Sequence, residues 1–255
     1  MSTLPTVSID PTIFESCGDL ALVGLVASEI DSDHVASVSP SLLGEAAHEV
    51  SQSYADVEDL ASADPIVRWR EAYRRQGLKA SRFRSSIESL IRRAARGDSV
   101  SVSPLVDLYN GVSLKFRVPL GAVDLARLPS VDVRFRHARP DTDHFAPLGG
   151  EGKDFPLSAN LPVYAAGNEV LCWGFNCRDS RLTALSPETR SVLFLTEVID
   201  PSERGKAVEA LTYLAATLEG GTSDLALGIA DRHQPEWRPA YGASTVSTAL
   251  ASVFG

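Results

Sequence analysis

No uninterrupted apolar stretch in this sequence approaches the roughly 18–20 residues that a membrane-spanning helix needs, so no contact with a membrane is expected. Cysteine is scarce. Cys17, Cys172 and Cys177 make an odd number without framework spacing, which excludes a disulfide scaffold and suits a reduced, cytoplasmic setting. Lys and Arg are missing altogether from the first 67 positions, and the N-terminus, MSTLPTVSIDPTIFESCGD, carries acids early, so a secretory signal is not expected. No internal repeat, low-complexity tract or Pro/Gly-rich linker divides the 255 residues, which fits one domain over 1–255. Also missing are a P-loop, a GxGxxG turn, a GxSxG elbow, HExxH and CxxC. Cys172 with Cys177, and His137 with His144, fall short of the three or four convergent ligands zinc requires. No metal and no cofactor is therefore expected, and no Ser/His/Asp triad is marked. An enzyme built on this chain would lack a strong side-chain nucleophile.

What is present begins with an uneven charge. The formal net charge is -9, yet residues 68–96 hold ten basic side chains against Glu71 and Glu88, while residues 1–67 hold 12 acids. A concentrated basic segment can meet a phosphate backbone despite an acidic average, because local potential decides the contact. The alternative is that it folds against the acidic N-terminal part.

The pattern of apolar residues predicts strands at 5–10 and 20–29, the second a continuous apolar run. An acidic Ala/Ser-rich helix is expected over 40–60, and another over 64–76, opened by Asp64-Pro65. Ser85 and Glu88 have capping-box spacing for a helix to Arg96, stopped by Gly97. Ser103-Pro104 opens PLVDLYNGVSLKF, whose interior Gly111 costs about 1 kcal/mol against Ala, so packing or a ligand must need close approach there. Strands and turns follow from 117 to 200, and a helix over 202–219 ends at Gly220-Gly221. The class is α+β, since strict βαβ alternation is absent.

Two polar runs stand out as candidate sites. NCRDSRLT, Asn176 to Thr183, offers an amide, a thiol, two guanidinium groups, a carboxylate and two hydroxyls. DLYNGVS, Asp107 to Ser113, places positions 106, 110 and 113 on one helix face, so Asn110 and Ser113 can share a cavity beside Gly111. Capping and turn chemistry use the same residue types, and that reading stays open.

The stretch SPLVDLYNGVSLKFRVPLGAVDL, then Pro147 to Gly149, then Trp173 to Thr183, resembles the B3/B4 domain of the bacterial phenylalanyl-tRNA synthetase β subunit in its free-standing subfamily. Tyr73 to Arg93 matches as well, so the resemblance runs over about 70–200, with 1–67 an acidic N-terminal portion, 68–200 the recognisable core and 201–255 a C-terminal helix and tail. It implies a mixed sheet flanked by helices, a pocket between two sub-lobes, and hydrolysis of the ester joining a wrong amino acid to tRNA, with water as nucleophile. Gly121 stands at the family's histidine position and Arg181 at its glutamate position, so a side chain other than tyrosine is expected in a roomier pocket.

On that resemblance, Asn110, Ser113, Ser180 and Thr183 are candidates for placing the water. Asp107, Tyr109, Asn110, Gly121, Glu151, Asn176, Arg178, Asp179 and Ser180 are candidates for binding the substrate. Arg74, Arg75, Lys79, Arg82, Arg84, Arg92 and Arg93 are candidates for the acceptor-stem phosphates. One branch of the family removes canavanine from arginine tRNA, and a guanidinooxy group wants a carboxylate. Asp179 is the first choice, ahead of Asp107, Glu151 and Glu169. The expected partner is a mischarged tRNA, with no DNA and a monomeric chain. A non-catalytic amino-acid binder and a tRNA-binding module are the alternatives.

Overall fold

The computed structural model describes residues 4–54, 59–149 and 155–240. The chain opens with β1 (Thr6–Ile9), the short α1 (Ile13–Ser16), β2 (Ala21–Ser28) and α2 (Ser32–Ser53). Three helices follow: α3 (Asp64–Arg75), α4 (Ser86–Ala95) and α5 (Pro104–Phe116). Then come β3 (Gly121–Asp124), β4 (Asp132–His137), β5 (His144–Phe145), β6 (Pro162–Ala166), β7 (Glu169–Trp173), β8 (Arg178–Asp179) and β9 (Val192–Val198). The helix α6 (Arg204–Leu218), β10 (Asp224–Ala230) and β11 (Glu236–Trp237) complete it. The fold is α+β, with mixed sheets flanked by helices.

Local chemistry explains most helix starts. The Ser85 hydroxyl accepts from the Glu88 N–H at 3.2 Å, as the capping spacing predicts, and Ile87, Leu90, Ile91 and Ala94 of α4 are buried. The expected 40–60 helix runs instead over Ser32–Ser53. Asp31 caps it by accepting from the Asp33 N–H at 2.9 Å, and the buried stripe already begins at Val35. Pro40 sits inside α2 on its exposed side, where the loss of one N–H is tolerated because the stripe on the other side anchors the helix. The stretch after α6 adds two strands, of which β10 pairs with β2 over seven residues.

The strands form two sheets. One has the order β10-β2-β9-β3, the other β11-β1-β4-β6-β7-β5, with β8 paired to β7. In the larger sheet β1 runs parallel to β4 and antiparallel to β11. The smaller sheet lies in the middle of the molecule. Leu25, Phe194 and Leu227 on one face pack against Leu108 and Val112 of α5 and Leu211 and Leu214 of α6. Leu22, Leu193 and Leu195 on the other face join a core with Val133, Phe135 and Val163 of the larger sheet and with Trp69, Tyr73 and Ile91 of α3 and α4. That alternation along β9 sends Glu197 towards the space between the sheets.

Two close fits fix this arrangement. Gly24 and Gly228 are registered neighbours, and a Cβ on either would come within 2.2 or 2.0 Å of the Trp237 ring. The indole therefore lies on a bed of two glycines. Arg136 and Asp143 form a buried bidentate pair at 2.7 and 2.8 Å, and the Arg139 N–H also donates to Asp143 at 2.7 Å.

Candidate functional site

Strand register assembles one wall of a pocket. Tyr164 pairs with Cys172 and Cys172 with Asp179, so three side chains from β6, β7 and β8 stand in a row on one face. The facing sheet contributes Glu197 from β9 and Gly121 from the edge strand β3. Between them the chain turns sharply after β7. Gly174 and Phe175 both have left-handed backbones, at φ +66° and +59°, and a Cβ on Gly174 would lie 2.8 Å from the Phe83 ring. This turn brings Asn176 into the pocket, and the start of α4 adds Ser86. Leucine and valine side chains supply the rest of the lining. The enclosed cavity is small, about 40 Å³, and opens to solvent on one side.

Glu197 is 6% exposed and accepts a hydrogen bond from Asn176 Nδ2 at 2.7 Å. Asn176 Oδ1 in turn accepts from the Ser86 N–H at 3.0 Å. Burial pushes the Glu197 carboxyl up to about 7 against the pull of Asn176 and Tyr164, and nearby Asp179 adds to the rise. Burial also raises Asp179, whose carboxyl is enclosed although the residue is partly exposed, while the Cys172 thiol and Arg178 act in the opposite direction. Cys172 is itself pushed well up by burial, so it is a thiol donor to Asp179 rather than a thiolate nucleophile. A buried carboxyl near 7 has the basicity a general base needs at neutral pH.

Of the residues singled out in the sequence, Gly121, Asn176 and Asp179 line this pocket. A Cβ on Gly121 would meet nothing within 4 Å, so the space there is open. The α5 residues Asp107, Tyr109, Asn110 and Ser113 are buried but do not line the pocket. Asp107 accepts from Ser101 Oγ and the Val102 N–H, both at 2.6 Å, so it ties the start of α5 to the segment just before it. Ser113 Oγ donates to the Val118 carbonyl at 2.6 Å, and Tyr109 packs edge-on against Phe194 while burial raises its hydroxyl far above the usual range. Gly111 meets α2, where a Cβ would come within 2.9 Å of Leu42 Cγ, so packing accounts for the interior glycine.

Ser180 Oγ donates to the Ala146 carbonyl at 3.1 Å, and the Thr183 carbonyl accepts from the Asp124 N–H. Arg178 lies over the Phe155 ring at 5.7 Å, and Glu169 opens β7 away from the pocket lining. Glu151 lies outside the described residues. Tyr164, Ser86 and Glu197 are pocket residues that sequence reasoning missed. The signal for Glu197 was a single charged residue in the apolar run VLFLTEVI.

The basic segment is mostly outside. Arg74, Arg75, Lys79, Arg82, Arg84 and Arg93 are exposed, with Arg75 3.9 Å from Glu71 and Arg93 on the Ser99 carbonyl. Arg92 is half-buried, and it and Arg70 both bind Glu88, at 2.9 and 2.8 Å. Arg84 lies two residues before Ser86, so the basic surface runs up to the residue that opens the pocket wall. Among the described residues, no helix is long and apolar enough to cross a membrane.

Comparison with protein families matches residues 68–223 to the B3/4 domain. Among solved structures, the chain is similar to an N-terminal fragment of the phenylalanyl-tRNA synthetase β-subunit from Pyrococcus horikoshii, at 13% identity and a TM-score of 0.43. That match covers 87% of this chain, which spans 50% of the fragment. No curated protein sequence matches.

Proposed function

Because the chain belongs to the B3/4 domain family, we propose that it is an aminoacyl-tRNA deacylase acting in trans on a mischarged tRNA. The observation that carries this reading is the Glu197–Asn176 pair in an enclosed pocket, with the carboxyl pushed up to about 7. A water oxygen attacks the ester carbonyl carbon and Glu197 takes its proton. The tetrahedral intermediate collapses, the bond to the ribose oxygen breaks, and Glu197 returns the proton to that oxygen. The products are the free amino acid and the deacylated tRNA. Such an ester is already labile, so positioning and carbonyl polarisation supply much of the acceleration.

Asp179 is the natural partner for a cationic side chain, and the open space at Gly121 leaves room for it. A guanidinooxy group, as in canavanine on arginine tRNA, fits a buried carboxylate whose charged form a cationic ligand stabilises. Arg74, Arg75, Lys79, Arg82, Arg84, Arg92 and Arg93 are the residues for the acceptor-stem phosphates, with Arg92 acting last because Glu88 already holds it.

A panel of canavanyl-, arginyl-, tyrosyl- and phenylalanyl-tRNA tests the proposal. Loss of canavanyl-tRNA well above buffer hydrolysis, with arginyl-tRNA spared, is the expected result; a flat panel rejects these substrates. The second reading is a non-catalytic amino-acid binder, favoured by the two enclosed carboxyls of Asp179 and Glu197, which suit a held cation. Calorimetry separates the two, since a binder takes up free amino acid tightly whereas a deacylase binds its own product weakly.

A further inference from the structure

Among the described residues six buried side-chain polar atoms have no hydrogen-bond partner in the protein, and two of them, Ser86 Oγ and Tyr164 OH, belong to residues lining the same pocket. A buried hydroxyl without a partner is unfavourable, and the deficit disappears when a bound molecule supplies the missing group. Tyr164 is 5% exposed. Its hydroxyl lies beside the Glu197 carboxyl and favours the ionised form of that group, without a well-formed hydrogen bond to it. We propose that Ser86 Oγ and Tyr164 OH are the substrate-contacting hydroxyls of this site, Ser86 for the ester carbonyl oxygen and Tyr164 for the attacking water. This rests on the deacylase reading and adds two catalytic residues to it.

The position of each group supports its part. Ser86 is the first residue of the ten-residue α4, whose N-terminal end favours negative charge. A hydroxyl donor there meets the charge that develops on a carbonyl oxygen under attack. The Asn176 amide links the Ser86 N–H to Glu197 through bonds of 3.0 and 2.7 Å. Only one orientation of that amide satisfies both neighbours, since the N–H needs the oxygen and the carboxylate needs the nitrogen. Ser86 is thereby held at a fixed separation from Glu197. Tyr164 stands beside Glu197 from the opposite sheet, and burial keeps its phenol protonated. A water held by the Glu197 carboxylate on its pocket side lies next to this phenol.

The test compares wild type with Ser86→Ala, Ser86→Thr and Tyr164→Phe. Three quantities are read: Tm, deacylation kcat and KM, and the affinity for a 3′-aminoacyl-amide adenosine analogue, which cannot be hydrolysed as the ester is. Ser86→Ala and Tyr164→Phe are expected to keep or raise Tm, because each deletes an unpartnered group. They are also expected to lower kcat at least tenfold and to weaken analogue binding, while Ser86→Thr retains most of both. A clear fall in Tm overturns the proposal, because it means that the hydroxyl has a structural partner. Unchanged kcat also overturns it. If wild type hydrolyses no ester, the deacylase reading fails separately, and analogue binding then decides. Weaker binding by both variants supports the two contacts; equal binding, or none by wild type, overturns them.

Discussion

On the proposed mechanism, Glu197 sets activity and stability against each other. Its folded carboxyl lies near 7 against an ordinary value of 4.5, so the native state holds this proton more tightly than the unfolded chain does. The resulting stability is complete below about pH 4.5 and is lost as pH rises through 7. One pKa unit corresponds to about 1.4 kcal/mol, so the loss amounts to a few kcal/mol. Glu197→Gln removes it, keeps an acceptor for Asn176, and is expected to melt above wild type at pH 8 but level with it near pH 4.5. The same substitution removes the base and should slow deacylation by about 10²- to 10⁴-fold. Wild-type rate should climb through pH 7 as the carboxyl ionises. Thermal melts and buffer-corrected rates across that range check both halves, and a Tm difference between variant and wild type that is the same at the two pH values would contradict the burial argument.

At the scale of elements, glycines mark where strands and helices come closest. Gly228→Ala would put a Cβ 2.0 Å from Trp237 Nε1 in the middle of β10. Overpacking of this kind costs about 1–3 kcal/mol, to be read as a lower urea midpoint. Gly228→Ala with Trp237→Leu is expected to recover part of the loss. Gly111 shows what the sequence could say about such contacts: an interior helix glycine announced a close approach, but only the structure identified α2 as the neighbour. α4 and α5 were legible because capping signals and apolar period agreed within each segment. α2 was legible only in part, since Pro40 reads as a helix breaker until its solvent side is known. In the pocket, Asn176 and Asp179 were legible as a dense polar run, whereas Glu197 hid in an apolar strand whose pairing decides which side chains face the gap. Ser86 and Tyr164 carry no sequence signal of their own, because their significance is the absence of a partner.

At the scale of the whole molecule, a chain of net charge -9 must approach a polyanion through one face. On the proposed function, the exposed residues Arg74, Arg75, Lys79 and Arg84 are the candidates for it. Phosphate contacts set affinity and salt dependence without reading sequence. Lys79→Glu with Arg84→Glu should therefore weaken charged and uncharged tRNA alike, and should flatten the plot of log affinity against log salt by about one unit per lost contact. Titration at several salt concentrations tests this, and an unchanged slope would move the tRNA to another face.

β1 and β2, which precede all their pairing partners in the sequence, are interior to their sheets. Val7 of β1 waits for Val133 and Trp237, and Leu25 of β2 waits for Phe194 and Leu227. At about 5–20 residues per second of synthesis, that wait is on the order of tens of seconds. Until then the apolar β2 lacks both sheet partners and offers unpaired edges to another chain. Twelve acids and no Lys or Arg in the first 67 residues keep copies of this segment apart and off the ribosomal RNA. The uneven charge of the finished protein is thus expected to disfavour association between copies of this segment before its strands are paired.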